Sequence, residues 1–256
     1  MTVKIGSLFA GIGGFELGLE RSWGNAETIW QVEREEFCQR ILSKHWPKST
    51  IYNDVRDINK NNVEPVDVLI GGFPCQSISL AGKMEGLENE NKSGLWWEMW
   101  RIISDLRPRV IIMENVANII RLGGVDVIGS LTQIGYDCEW TVISARQFGA
   151  PHLRERWFCI AYSNETRFQR QSQYSHQLET PFINERGDSD GHGSDNGRGY
   201  WKTTPYPSPF CRVDDGLPNR VARLKALGNA IVPQCSQWVG DQILKSGLLD
   251  DLLEGE

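Results

Sequence analysis

Residues 3–21 read VKIGSLFAGIGGFELGLER: an apolar run, a glycine-rich turn, then apolar residues returning at helical spacing. The stretch predicts a strand, a tight turn and a helix. A second strand, ETIWQVE at 27–33, follows at once, so the chain opens as a βαβ unit. In such a unit the absent glycine side chains let backbone amides at the helix N-terminus approach a ligand. The turn is not the dinucleotide fingerprint GxGxxG, because Glu16 stands where a third glycine would follow Gly11 and Gly13. A nicotinamide-dependent oxidoreductase is disfavoured on that ground.

Working outward, further strands are expected at VDVLIGG (66–72), RVIIMENV (109–116), DCEWTVISA (137–145) and RWFCIAYS (156–163). Helices are expected over Glu36 to His45, Gly94 to Leu106 and Val125 to Gln133. This alternation implies an α/β fold, a mostly parallel sheet covered by helices on both faces, with ligands bound at the carboxyl ends of its strands. From Ser163 to Arg212 the chain is rich in Ser, Asn, Gln, Gly and Asp, with no sustained period. We read that stretch as a small loop-rich region or insertion. Helical patterning returns at Asn219 to Lys225 and at Gln234 to Leu244. The expected division is therefore 1–162, 163–212 and 213–256.

The 256 residues suit one substantial core with a small appendage. The chain is 40% hydrophobic and 23% charged, no apolar run approaches the roughly 20 residues of a membrane span, and the N-terminus lacks the pattern of a secretory signal. A cytoplasmic protein is expected. The six cysteines include no CxxC pair and the histidines no ligand spacing, so neither a metal site nor a disulfide framework is expected. The formal charge of -6 weighs against nucleic-acid binding, but a positive cleft can coexist with it, and arginines and lysines recur between Arg146 and Lys225.

Four places along the chain can carry chemistry. Glu33 ends the second strand, where a carboxylate accepts hydrogen bonds from both hydroxyls of a ribose, although a solvated strand-end carboxylate would look the same. Cys75, in GGFPCQSIS (71–79), is placed on a tight loop at the same sheet edge, the position of a nucleophile and equally of an inert thiol. ENV at 114–116 adds a carboxyl and a carboxamide beside it. Arg154 and Arg156, one residue apart on an expected strand, would point to one face.

Taken in order, SLFAGIGG, QVE, NDVRDI, GFPCQ, ENV, APHLRERWF and LGNAIVPQ resemble the successive motifs of the cytosine carbon-5 DNA methyltransferase family, and the resemblance covers most of the chain. It implies a Rossmann-like S-adenosylmethionine-dependent methyltransferase fold, with residues 163–212 as a small target recognition region and a C-terminal segment that returns to complete the cofactor pocket. By this resemblance Phe9, Gly11, Ile12, Gly14, Glu33, Asp54, Val55, Phe73 and Asn229 contact S-adenosylmethionine, whose product is S-adenosylhomocysteine. Asp54 would read the adenine amino group. Cys75 is the implied nucleophile that attacks carbon 6 of cytosine, Glu114 the acid that engages ring nitrogen N3, and Arg154 and Arg156 hold the base carbonyl, the Glu114 carboxylate or a phosphate.

A cytosine in duplex DNA hides carbon 6, so the resemblance also implies base flipping, which costs roughly a few kcal/mol. The polar stretch Ser77 to Ser93, with Gly82 and Gly86, is expected to close over the DNA. The implied partners are duplex DNA and a cognate restriction enzyme acting on the same site, with the protein itself monomeric and nucleoid-associated when bound. Two other functions stay open at this point: methylation of transfer RNA by the same chemistry, and a catalytically silent DNA-binding relative.

Three residues depart from the family pattern. Ser7 replaces an acidic or amide residue, Arg34 an apolar one that stacks on adenine, and His152 a frequent glutamine. The segment CRVDDGLPNRVARLKALGNA (211–230) replaces the motif that usually precedes the last one. None of these changes removes an implied catalytic group.

Overall fold

The structure is a computed structural model that describes residues 1–74, 94–163 and 220–253. Cys75, the Ser77 to Ser93 segment and nearly all of the expected recognition region lie outside these residues. The described residues form a seven-stranded sheet of order β3-β2-β1-β4-β5-β7-β6. Its strands are β1 (Val3–Leu8), β2 (Ala26–Val32), β3 (Thr50–Tyr52), β4 (Val68–Gly71), β5 (Val110–Val116), β6 (Tyr136–Ser144) and β7 (Glu155–Ser163). The pairs among β1 to β5 are parallel, while β7 runs antiparallel to both β5 and β6.

The central strands read as continuous apolar runs because both of their faces are buried. In β4 and β5, Val68, Ile70, Val110 and Ile112 pack into one core, and Leu69, Ile111 and Met113 into the other. Helices α1 (Gly14–Trp23) and, later in the chain, α7 (Pro233–Lys245) supply Phe15, Leu19, Val239 and Ile243 to the first core. Helices α3 (Leu95–Leu106) and α5 (Gly124–Gln133) supply Trp96, Met99, Ile103, Val127 and Leu131 to the second. Helix α2 (Glu36–His45) follows β2, and the single-turn α4 (Ile119–Leu122) follows β5. Ser144 and Gln147 form a capping box at the turn Ala145–Phe148 that leads toward β7, a short connection that antiparallel strands permit and parallel ones do not.

Strand β3 and the single-turn α4 were not expected from the sequence, and α6 (Arg220–Asn229), expected over Asn219 to Lys225, ends later. Strand β3 is a three-residue edge strand, too short to carry an alternating pattern. Helix α6 continues four residues beyond the Lys225 at which its patterning ended, to the residue before Ala230.

The C-terminal segment returns to the sheet through a close helix contact. A Cβ on Gly18 in α1 would lie 2.0 Å from Ser236 Oγ and 2.4 Å from the Pro233 carbonyl, and one on Gly14 would lie 2.2 Å from the Ile231 carbonyl. Ser236 Oγ donates to the Gly14 carbonyl at 3.1 Å, and Trp23 Nε1 donates to the Gly240 carbonyl at 3.1 Å. A mid-helix glycine is otherwise unfavourable by about 1 kcal/mol relative to alanine, and the backbone-level approach of α7 explains its presence. Gly18→Leu is therefore expected to lower unfolding stability by about 1–3 kcal/mol, measured in urea, because the clash is with backbone that cannot rotate aside.

Candidate functional site

A cavity of about 540 Å³ opens at the carboxyl ends of β1, β2, β4 and β5. It lies where the strand order reverses between β1 and β4, the usual ligand position in an open α/β sheet. Of the residues expected around a cofactor, Phe9, Gly11, Glu33, Asp54, Val55, Phe73 and Asn229 line it. Gly14 lines a small adjoining cavity of about 40 Å³. Ile12 is not among the lining residues of either.

The glycine turn is shaped by left-handed backbone at Phe9 (φ +58°), Gly11 (φ +59°) and Gly13 (φ +84°). A Cβ at Gly11 would meet nothing within 4 Å, so this backbone faces open space. The turn is tied to β2 by Glu33, whose Oε2 accepts from Gly11 N at 2.7 Å while Oε1 accepts from Glu35 N at 2.7 Å. Each oxygen keeps a second acceptor position for a ligand hydroxyl. Asp54 accepts from Arg56 N at 3.0 Å, which caps the short turn Val55–Asp57. Phe73 packs its ring 5.1 Å from Trp96.

The cavity's chemical end is built by β5 and β7. Asn115 Nδ2 donates to the Phe73 carbonyl at 2.8 Å, so a buried carboxamide holds the backbone two residues before Cys75. A Cβ on Gly72 would lie 3.1 Å from Glu114 Oε2, which sets that carboxyl against the same backbone exit. Glu114 Oε1 pairs with Arg156 Nε at 2.8 Å. Burial pushes the Glu114 carboxyl up to about 7, and the guanidiniums of Arg156 and Arg154 oppose that shift without cancelling it. At neutral pH it can donate as well as accept.

Arg154 corrects the sequence reading. It lies before β7 with φ +37°, so it does not share a strand face with Arg156. Its Nη1 donates to the Gly228 carbonyl at 2.9 Å and its Nη2 to the Ala230 carbonyl. These are the orphan carbonyls at the C-terminal end of α6. Arg154 therefore fastens the returning segment, while Arg156 alone reaches Glu114. A second link missed in the sequence is Lys225 Nζ to Glu35 Oε1 at 2.7 Å, which joins α6 to the start of α2 across the lining of the cavity. Neither residue lies in a motif, and only their approach in space reveals the pair.

Among the described residues no group of three or more His, Cys, Asp or Glu is placed to hold a metal ion, and no helix is long and apolar enough to cross a membrane. The profile of the C-5 cytosine-specific DNA methylase family matches residues 3–202. The Type II methyltransferase M.Bsp6I of Bacillus sp. (strain RFL6) is 35% identical over 167 residues, covering 63% of this chain and 53% of that protein. For M.HhaI of Haemophilus parahaemolyticus the identity is 30% over 166 residues, covering 63% and 50%. The chain spans about half the length of the curated relatives it matches. Among solved structures, the Entamoeba histolytica methyltransferase EhMeth superposes with a TM-score of 0.54 at 21% identity, covering 70% of this chain and 56% of that one. The S. pombe Dnmt2 methyltransferase gives 0.53 at 18%, covering 68% and 57%. At these identities the likeness establishes the fold.

Arg154→Met is expected to lower unfolding stability by about 2 kcal/mol through loss of two charge-assisted bonds to carbonyls. Hydrogen exchange should quicken in residues 226–240 and stay unchanged in β1 and β4.

Proposed function

Because the chain belongs to the C-5 cytosine-specific DNA methylase family, we propose that it transfers a methyl group from S-adenosylmethionine to carbon 5 of a cytosine flipped out of duplex DNA. The observation that carries this reading is Glu114, a buried carboxyl poised near neutrality, paired with Arg156 and set against the backbone that leads to Cys75. A carboxyl in that state can hydrogen-bond to or protonate N3 of cytosine as the thiolate of Cys75 adds to carbon 6. The addition makes carbon 5 nucleophilic. S-adenosylmethionine, when bound, supplies an electrophilic methyl group on its sulfonium centre. Loss of the carbon-5 proton to a base or an ordered water and elimination of the Cys75 thiolate then restore the aromatic ring. Arg156 holds the Glu114 carboxyl in place through these changes of charge.

The cavity fits the cofactor in size, since nucleoside-type ligands occupy pockets of some 300–1,000 Å³. Glu33 would take the ribose hydroxyls on its remaining acceptor positions, and Asp54 the adenine amino group. Phe9, Val55 and Phe73 would supply apolar walls, Gly11 close backbone, and Asn229 a polar group from the returning segment. Residues 163–212 would read the DNA, and the protein would act in the cytoplasm, associated with the nucleoid, as a monomer that shares its site with a restriction enzyme.

The test is incubation with S-adenosylmethionine and a random-sequence DNA pool containing 5-fluorocytosine, which cannot lose its carbon-5 substituent. A covalent adduct carrying one methyl, present in the intact protein and absent in Cys75→Ala, is expected by denaturing gel and mass spectrometry. Cofactor binding without any adduct would overturn the reading in favour of an RNA substrate or a silent binder.

The pH dependence follows from Glu114. Its protonated form is present below about 7 and is lost as pH rises past that value. We expect a kcat/KM profile with an alkaline limb beginning near 7. In Glu114→Gln the limb should disappear and the rate should fall by about 10²–10⁴-fold.

A further inference from the structure

Beneath the glycine turn, three polar side chains are buried together. Ser7 on β1 and Gln31 on β2 are partners in the sheet register, and Glu16 stands in the first turn of α1. Each is at most 1% exposed. Gln31 Nε2 donates to Glu16 Oε1 at 3.1 Å. The remaining oxygen of each side chain, Glu16 Oε2 and Gln31 Oε1, is buried with no donor among the described residues. Two acceptors stranded on one already bonded pair is an arrangement that folded proteins rarely tolerate, and each such group calls for a physical account.

A carboxylate is a poor occupant of this place. Hydrogen bonds from its own backbone, Ser7 and Gln31 favour the ionised form of Glu16, but burial outweighs them, Glu20 opposes them, and none of these groups is a cation. Glu20, one turn along α1, is itself an acid, bonded to Thr28 and Trp46. Just past β2, Glu33 is engaged by Gly11 and Glu35. Helix α7, packed against α1, turns Ser236 to the Gly14 carbonyl and Asp241 to Ser22. An isolated ionised carboxyl in such surroundings neutralises by taking up a proton.

We propose that Glu16 is a neutral carboxylic acid whose Oε2–H donates to Gln31 Oε1, closing a cyclic acid–carboxamide pair that holds the glycine turn in its cofactor-binding shape. One proton answers both stranded oxygens. Burial, which pushes the Glu16 carboxyl up to about 7, acts in the same direction. The pair couples two sides of one site: Glu16 stands in the first turn of α1, just after the glycine turn, and Gln31 lies two residues before Glu33, which follows the end of β2 and whose carboxylate binds Gly11 N. Glu16 is thus a positioning residue, and this role rests on the reading of the cavity as a cofactor site.

The experiment compares the full chain with Glu16→Gln, which keeps a donor at the Oε2 position, and with Glu16→Leu, which does not. An infrared difference spectrum between the intact protein and Glu16→Gln at about pH 6 should contain the carbonyl stretch of a protonated carboxylic acid. Calorimetric titration with S-adenosylmethionine should give equal affinities for these two proteins at that pH. Above about pH 8 the intact protein should bind severalfold more weakly while Glu16→Gln holds its affinity. Any dependence from Glu114 appears equally in both. Glu16→Leu should bind more weakly at every pH.

Absence of the carbonyl band, or superimposable affinity curves for the intact protein and Glu16→Gln, would overturn the proposal. If the intact protein binds no S-adenosylmethionine, the cofactor reading fails and the positioning role fails with it. The acid–amide pair is still decided by the band and by cofactor-free melting. The stabilising contribution of a raised carboxyl is full below about 4.5 and lost as pH rises through about 7, so Glu16→Gln should gain in melting temperature relative to the intact protein across that interval.

Discussion

Everything at the cavity depends on how closely α7 can approach α1. Gly14 and Gly18 leave no side chain between the two helices, so the Ile231 and Pro233 carbonyls sit against the backbone of α1 itself. That contact brings α6 and Asn229 to the same edge of the sheet as the glycine turn, although some 200 residues separate them in sequence. Arg154 then fastens the end of α6 from the other side, through the Gly228 and Ala230 carbonyls. The wall of the cavity is thus assembled from the two ends of the chain, and each end lacks the means to form it alone.

Two carboxyls owe their state to the same cause in different company. Glu114 and Glu16 are both pushed up to about 7 by burial. Glu114 has two guanidiniums near it, one in direct contact, and opens on the cavity, so its proton can be exchanged with a ligand. Glu16 is fully buried, has no cation among the groups acting on it and is not among the residues that line the cavity, so its proton serves the fold. A net charge of -6 says nothing about either, because charge counted along a chain is blind to which groups lose their water.

The division of labour between Arg154 and Arg156 shows the limit of reasoning from spacing. Residues two apart share a face only if both belong to the strand, and β7 begins at Glu155. The left-handed backbone at Arg154 turns its side chain toward α6, while Arg156, register partner of Val116 on β5, stays beside Glu114. The antiparallel direction of β7 makes this possible, since it runs back along β5 and brings Arg156 to the carboxyl end of β5.

From sequence alone the βαβ opening, the longer parallel strands β1, β2, β4 and β5 and the helices α2, α3 and α5 were legible, because burial of both sheet faces and one helix face imposes periodicities that survive in the order of residues. The residues of the cavity edge were legible for a related reason: Glu33, Phe73, Glu114 and Asn115 all sit where a strand runs out, and strands of a parallel sheet run out together. What tertiary structure alone decided was pairing between distant segments: Glu33 with Gly11, Asn115 with the Phe73 carbonyl, Lys225 with Glu35, Glu16 with Gln31, and Arg154 with the end of α6. Local pattern records which face of an element is buried, not which partner buries it, and a hydrogen bond or a pKa depends on the partner.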